Sequence, residues 1–283
     1  MNLDLPNGGR LDLGRPVICG VLNVTPDSFS DGGRYDPADP GRAVEAAAAM
    51  VERGAGVIDI GGESTRPGAA RVDAGEQRRR VMPAIERIAR EVGAVLSVDT
   101  TRASVAEPAL DAGASIVNDV SAGREDEAML RLVAARGAGV VLMHMQGEPA
   151  TMQEAPRYED PVGEVRAFLL ARARAAEAEG VERARIVIDP GIGFGKTTGH
   201  NLALLGGLES LVETGLAVML GASRKRFLGE IAGVEAPTER GAATAATTAI
   251  GVMAGVRLFR VHDVGANREA ADVTFAACSH RSR

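Results

Sequence analysis

"RIVIDPGIGFGK", residues 185–196, decides how this chain is read. Its first half is a β-branched apolar run closed by an acid, Asp189. Its second half is a Gly-rich turn that ends in Gly195, Lys196 and Thr197. One reading is a phosphate cradle of the G-x-x-x-x-G-K-[ST] kind. Counted back from Gly195, the first glycine of that motif falls on Pro190, and Gly191 comes one residue late. A shortened loop cannot wrap its N–H groups around a phosphate in the same way. The other reading is a strand buried on both faces that delivers one polar side chain at its C-terminal end.

The second reading repeats along the chain. Seven more apolar runs share its form: "PVICGVLNV" (16–24), "GVIDIGG" (56–62), "AVLSVDT" (94–100), "SIVNDV" (115–120), "GVVLMHM" (139–145), "LAVMLGAS" (216–223) and "LFRVHD" (258–263). Near-continuous hydrophobicity is what parallel strands covered by helices show. Between them lie Ala/Glu/Arg-rich stretches such as "DPGRAVEAAAAMVERGA", "EVRAFLLARARAAEAEG" and "TERGAATAATTAIGVMAG", several closed by Gly. Eight strand–helix units predict an α/β protein with a single (β/α)8 (TIM) barrel over residues 16–283, preceded by a leader over 1–15. A doubly wound open sheet is the runner-up. The lack of a GxGxxG first turn counts against it.

Composition narrows the function classes. The 283 residues carry a net charge of −6 with no Lys/Arg block, which argues against a nucleic-acid surface. No apolar run reaches the ~18 residues of a membrane span. The polar, acid-bearing N-terminus does not read as a signal peptide. Two distant cysteines, Cys19 and Cys278, fit neither a disulfide framework nor a metal cluster. These features predict a cytoplasmic protein. With only 3% aromatic residues and no Trp, the core must pack through small and branched aliphatic side chains.

Polar residues gather at one end of the predicted strands. Asn23, Asp99, Asn118, Asp119, His144 and Asp189 close strands, while "STRPG", "SRKR" and "RVHD" follow them. In a barrel these ends share a rim, where such folds place their sites. Singly, Asp99, Asn118 and Asp189 could be helix caps. Together they offer acceptors and an amide that can read the edge of a flat, nitrogen-rich ring. Arg66, Arg224, Lys225, Arg260 and His262 beside Gly and Pro turns make an anion pocket for a phosphate or diphosphate. A loosely held Mg2+ bridging such a group leaves little sequence trace. No metal-ligand spacing supports tightly bound zinc, and no nucleophile elbow supports covalent catalysis.

Taken in order, "GVLNVTPDSFSDGG", "IDIGGESTRPGA", "VNDVSAG", "LMHMQG", "DPGIGFGK", "GASRKRFLGE" and "RVHDV" closely resemble the dihydropteroate synthases of bacterial folate biosynthesis, over about residues 16–265. The resemblance implies a homodimeric barrel that condenses 6-hydroxymethyl-7,8-dihydropterin diphosphate with 4-aminobenzoate. It implies Asn23 as the Mg2+ contact. Asp99, Asn118, Asp189 and Lys225 would be the pterin contacts, with Met143 and Phe194 lining the slot. Arg66, Arg260 and His262 would hold the diphosphate, and Phe29, Thr65, Pro67 and Ser223 would surround the aminobenzoate. Asp99, Lys225, Arg66 and His262 would carry the catalysis. The loops "TPDSFSDGG" and "GESTRPGAA" would close over substrate. A methyltetrahydrofolate methyltransferase would need neither "STRPG" nor "SRK". A binding-only paralogue would have lost Arg66, Lys225 or His262.

Overall fold

Alternation along each strand decides which side chains face the barrel axis and which face the helices. The structure is a computed structural model that describes residues 1–25, 39–63, 71–147 and 151–281. In chain order its elements are β1 (Asn2–Asp4), β2 (Arg10–Asp12), β3 (Val17–Asn23), α1 (Gly41–Glu52), β4 (Ala55–Gly61), α2 (Ala74–Glu91), β5 (Val95–Asp99), α3 (Ala103–Asp111), β6 (Ile116–Asp119) and α4 (Met129–Arg136). There follow β7 (Gly139–Met143), α5 (Pro161–Ala178), β8 (Ile186–Asp189), α6 (Thr198–Gly206), α7 (Leu208–Val212), β9 (Ala217–Leu220), α8 (Arg226–Ala232), α9 (Gly241–Met253), β10 (Leu258–Val261) and α10 (Val264–Arg281). Strands β3 to β10 pair in parallel and close into a barrel, β10 returning to β3. The sheet is therefore not the open doubly wound alternative. All eight apolar runs of the sequence are barrel strands.

Ile58, Ile60, Leu96, Val98, Val117, Ile186, Ile188, Val218 and Phe259 belong to the layer shared with the helices. Cys19, Val57, Ile116, Val141, Val187, Met219 and Leu258 form a separate inner cluster. Period-two alternation carries each inner position two residues onward to a polar or special one. Val57 leads to Asp59, Ile116 to Asn118, Val141 to Met143, Val187 to Asp189, Met219 to Gly221 and Leu258 to Arg260. The strand register sets Gly61 beside Asp99, Asp99 beside Asn118, and Met143 beside Asp189.

The opposite end is plugged. The leader segment ahead of the barrel folds as the antiparallel hairpin β1–β2, joined through Pro6–Gly8. Leu3, Leu5, Leu11 and Leu13 are buried with the inner strand residues. The hairpin covers apolar surface that an open barrel mouth would expose to water.

Candidate functional site

A small pocket at the C-terminal end of the barrel is lined by Asp99, Asn118, Val120, Met143, Asp189, Phe194, Gly221, Lys225 and Arg260. Seven of these are sequence-predicted site residues drawn from β5, β6, β7, β8, β10 and the turns after β8 and β9. The barrel thus brings together residues more than a hundred positions apart. Val120, Met143 and Phe194 make its apolar wall, and Met145 and Met152 join them in one buried apolar cluster.

Its floor is an ion-paired arginine. Arg260 donates from Nε to Asp59 Oδ2 at 2.6 Å and from Nη2 to Asp99 Oδ2 at 2.7 Å. Asn118 donates from Nδ2 to the same Asp59 oxygen at 3.0 Å. Burial pushes the Asp99 carboxyl up to about 7; Arg260 pulls against that, and Asp59, Asp119 and Glu63 add to it. Burial works against the Arg260 guanidinium too, but Asp59 and Asp99 outweigh it and hold its pKa above the ordinary arginine value. Arg260, expected as an anion contact, is thus engaged by two carboxylates.

The β8 turn shapes the wall. Gly191 donates its N–H to Asp189 Oδ1 at 2.7 Å, Gly193 to Asn201 Oδ1 at 2.7 Å, and Phe194 to the Gly191 carbonyl at 3.0 Å. These three N–H groups are spent inside the protein and are not offered to a phosphate. Thr197 caps α6: its Oγ1 accepts from His200 N at 3.2 Å, and its own N–H donates to His200 Nδ1 at 3.3 Å. Lys196 is buried, with its Nζ 2.9 Å from the carbonyls of Gly191 and Phe194 and 3.0 Å from His144 Nδ1. Burial brings its pKa down to about 7, with Asp189 opposing and Lys225 adding. Three acceptors around Nζ suit the ammonium form. Burial, Lys196 and Arg124 bring His144 down to about 3, so its ring is neutral and can accept that bond at Nδ1.

Lys225 Nζ lies 3.9 Å above the centre of the Phe194 ring, a cation–π contact. Burial raises the Asp189 pKa, against the Gly191 N–H and the cations Lys225, Arg260 and Lys196. The open space among these groups is about 20 Å³, room for one water. A flat bicyclic ring is larger than that space, so side chains of the lining must shift to admit it. Beside the pocket, Ser223 Oγ lies 3.0 Å from His262 Nδ1 and 3.2 Å from His262 N. Asn23 ends β3 across Gly61 from Asp99. A Cβ on Gly61 would sit 3.4 Å from Asp99 Cβ and 3.6 Å from Asn23 Oδ1.

Phe29, Thr65, Arg66 and Pro67, with most of both predicted closing loops, lie outside the described residues. The described base of the second loop is held by Glu63. Its carboxylate accepts from Val72 N at 2.9 Å and from Gln77 Nε2 at 2.8 Å, and Gln77 accepts from Thr100 Oγ1 at 3.0 Å. Sequence reasoning missed Asp59, Lys196 and Glu63. Asp59 had a signal: it is a charge inside an apolar strand, at the inward parity set by Val57.

A family model described as "Pterin binding enzyme" matches residues 19–262. Dihydropteroate synthase of Mycobacterium leprae is 51% identical over 265 residues, 92% of this chain and 92% of its own. The structure of Xanthomonas albilineans dihydropteroate synthase with 4-aminobenzoic acid superposes with a TM-score of 0.90 at 45% identity, covering 98% of each chain. The same enzyme in complex with 7,8-dihydropteroate gives 0.88 at 42%, again over 98% of each.

Proposed function

The chain belongs to the pterin binding enzyme family, and from that membership and the rim pocket we infer the reaction of a dihydropteroate synthase. It condenses 6-hydroxymethyl-7,8-dihydropterin diphosphate with 4-aminobenzoate, giving 7,8-dihydropteroate and diphosphate. The observation that carries the reading is the convergence of Asp99, Asn118, Asp189, Lys225 and Arg260 on one pocket. It is joined by near-full-length identity to proteins of that name.

The residue types suit the chemistry. Asp99, Asn118 and Asp189 supply acceptors for the ring N–H and amino groups of a pterin edge. Met143 and Phe194 supply flat apolar contact. Diphosphate leaves from a methylene whose positive charge the electron-rich ring can spread. Asp99 and Asp189 stabilise that cation, while Arg66, Arg260 and His262 take up the departing negative charge. The aniline nitrogen loses its proton easily once bonded, so no strong general base is required. The substitution is accordingly dissociative, with diphosphate leaving early. Kinetic isotope effects showing strong bonding to the incoming nitrogen at the transition state would exclude that. Phe29, Thr65, Pro67 and Ser223 surround the aminobenzoate in this reading, and the catalytic set is Asp99, Lys225, Arg66 and His262.

Mg2+ fits the donor set. Gly61 leaves open the gap between Asn23 Oδ1 and Asp99 that a Cβ would fill. A cation that takes most of its oxygens from water and diphosphate needs no more than such an amide from the protein. Bound there, it would neutralise charge on the leaving group. The reading extends to a cytoplasmic homodimer. Among the described residues no helix is long and apolar enough to cross a membrane. Diphosphate release from the pterin substrate, with and without 4-aminobenzoate and Mg2+, tests the assignment. A folded protein silent under every condition would overturn it.

A further inference from the structure

Asp59 has no part in the roles given so far. It sits inside β4, 1% exposed, where an acid is unfavourable unless firmly paired. Its two contacts both reach groups of the pocket, and both use Oδ2. Among the described residues, Oδ1 has no hydrogen-bond partner. Oδ2 accepts from Asn118 Nδ2, which turns the NH2 of that amide toward Asp59. The amide carbonyl of Asn118 is left for the pocket, poised to read a donor on the ring edge.

The two acids grip Arg260 differently. Asp59 takes Nε, the nitrogen next to the aliphatic stem, and its side chain is 1% exposed. Asp99 takes the terminal Nη2, and its side chain is 9% exposed. The deeper acid holds the root of the guanidinium, and the shallower acid holds its tip. We propose that Asp59 is a positioning residue for the pterin half of the reaction: it sets the amide polarity of Asn118 and pivots Arg260 about Nε, leaving Asp99 as the partner that substrate can replace. When a ring N–H takes Asp99, the terminal nitrogens of Arg260 are released toward the departing diphosphate, and Arg260 stays anchored. The proposal rests on the dihydropteroate synthase reading.

The test compares full-length wild type with Asp59→Asn and Asp59→Ala by steady-state kinetics in each substrate, by pH profile and by thermal unfolding. Losing an aligned buried partner should raise KM for the pterin diphosphate about tenfold or more in Asp59→Ala, with KM for 4-aminobenzoate within about twofold. Asp59→Asn keeps an oxygen that can accept both bonds and should recover much of that affinity. The charged and titratable groups facing Asp99 are Arg260, Asp59, Asp119, Glu63 and the Cys19 thiol. Of these, only Asp59 is altered. Removing its like charge should move the acid limb of activity to lower pH in both variants. A purely structural Asp59 would lower the unfolding temperature and both substrates' efficiencies together, with the limb unmoved, and that outcome overturns the proposal. Unchanged kinetics in both variants overturn it too. Where Asp59→Ala does not fold, Asp59→Asn decides: a KM raised for the pterin diphosphate more than for 4-aminobenzoate supports the proposal, and equal effects on both substrates overturn it. An inactive wild type overturns the assigned reaction, and the proposal with it.

Discussion

At Asp99, burial pushes the carboxyl up to about 7 while Arg260 pulls it back. The native state therefore holds this proton more tightly than the unfolded chain, whose carboxyl titrates near 3.8. Between those values the folded form binds more protons, so the stability contributed by Asp99 is full below about pH 4 and is lost as pH rises through about 7. Asp99→Asn removes that dependence. Its unfolding temperature relative to wild type should be higher at pH 8 than at pH 4, while turnover at pH 8 falls by about a hundredfold or more. Thermal scans and initial rates on the same samples check both halves. Equal loss of fold and turnover would return Asp99 to a structural role. Asp99, Asn118 and Asp189 were legible in the sequence because each closes an apolar run. Asp59 was not, because it lies two residues short of the strand end at Gly61, and only alternation counted from Val57 reveals its inward aim. Arg260 was legible as a rim residue. Its pairing with two acids was not, since that depends on β4 and β5 meeting β10 through barrel closure.

The β8–α6 turn shows what glycine does here. Gly191 has φ +64°, and a Cβ at that position would collide with the His144 carbonyl oxygen. Gly233, after α8, has φ +68° with nothing near its missing Cβ. Both glycines are in the left-handed region, so the difference between them isolates the steric part. Gly233→Ala should cost about 1 kcal/mol for the left-handed conformation alone. Gly191→Ala should cost at least about 2 kcal/mol, because it also forces β7 away from the turn. Denaturant melts of the two variants measure the contrast, and equal losses would mean that the turn moves aside freely. The turn's role could be read only by exclusion, since the failed phosphate-loop spacing says what it does not do. The part played by Lys196 as a buried tie among three acceptors is a long-range fact, set by how β7 brings His144 alongside. Elements followed the same rule. Long apolar strands were plain, whereas three-residue β1 and β2 gave too short a pattern to outweigh Pro6, Asn7 and Gly8 between them.

Across the whole molecule, the rim pocket and the hairpin plug occupy opposite ends of the barrel. Leu3, Leu5, Leu11 and Leu13 seal the N-terminal mouth, so the strands can spend polar residues at the other end without opening the core to water. On the wall, α9 turns Thr244, Thr247, Thr248, Gly251 and Val252 inward. Gly251 allows this close approach, since a Cβ there would meet the Phe259 ring at 2.7 Å. The same helix exposes Ile250 and Met253, and its neighbours α6, α8 and α10 expose Leu202, Ile231 and Val273. Among the described residues, the large exposed apolar side chains other than Met1 all lie on these helices. Such a concentration on one side is what a partner subunit covers. If the chain is a homodimer through this wall, wild type should sediment at twice the chain mass. Ile250→Lys with Met253→Lys should weaken association by about two orders of magnitude or more, because each apolar side chain contributes about 1.5–3 kcal/mol when buried. The double variant should keep its circular dichroism, since both positions point away from the barrel. A wild type that sediments as one chain at micromolar concentration removes the dimer. A double variant that dimerises as tightly as wild type moves the interface off this wall.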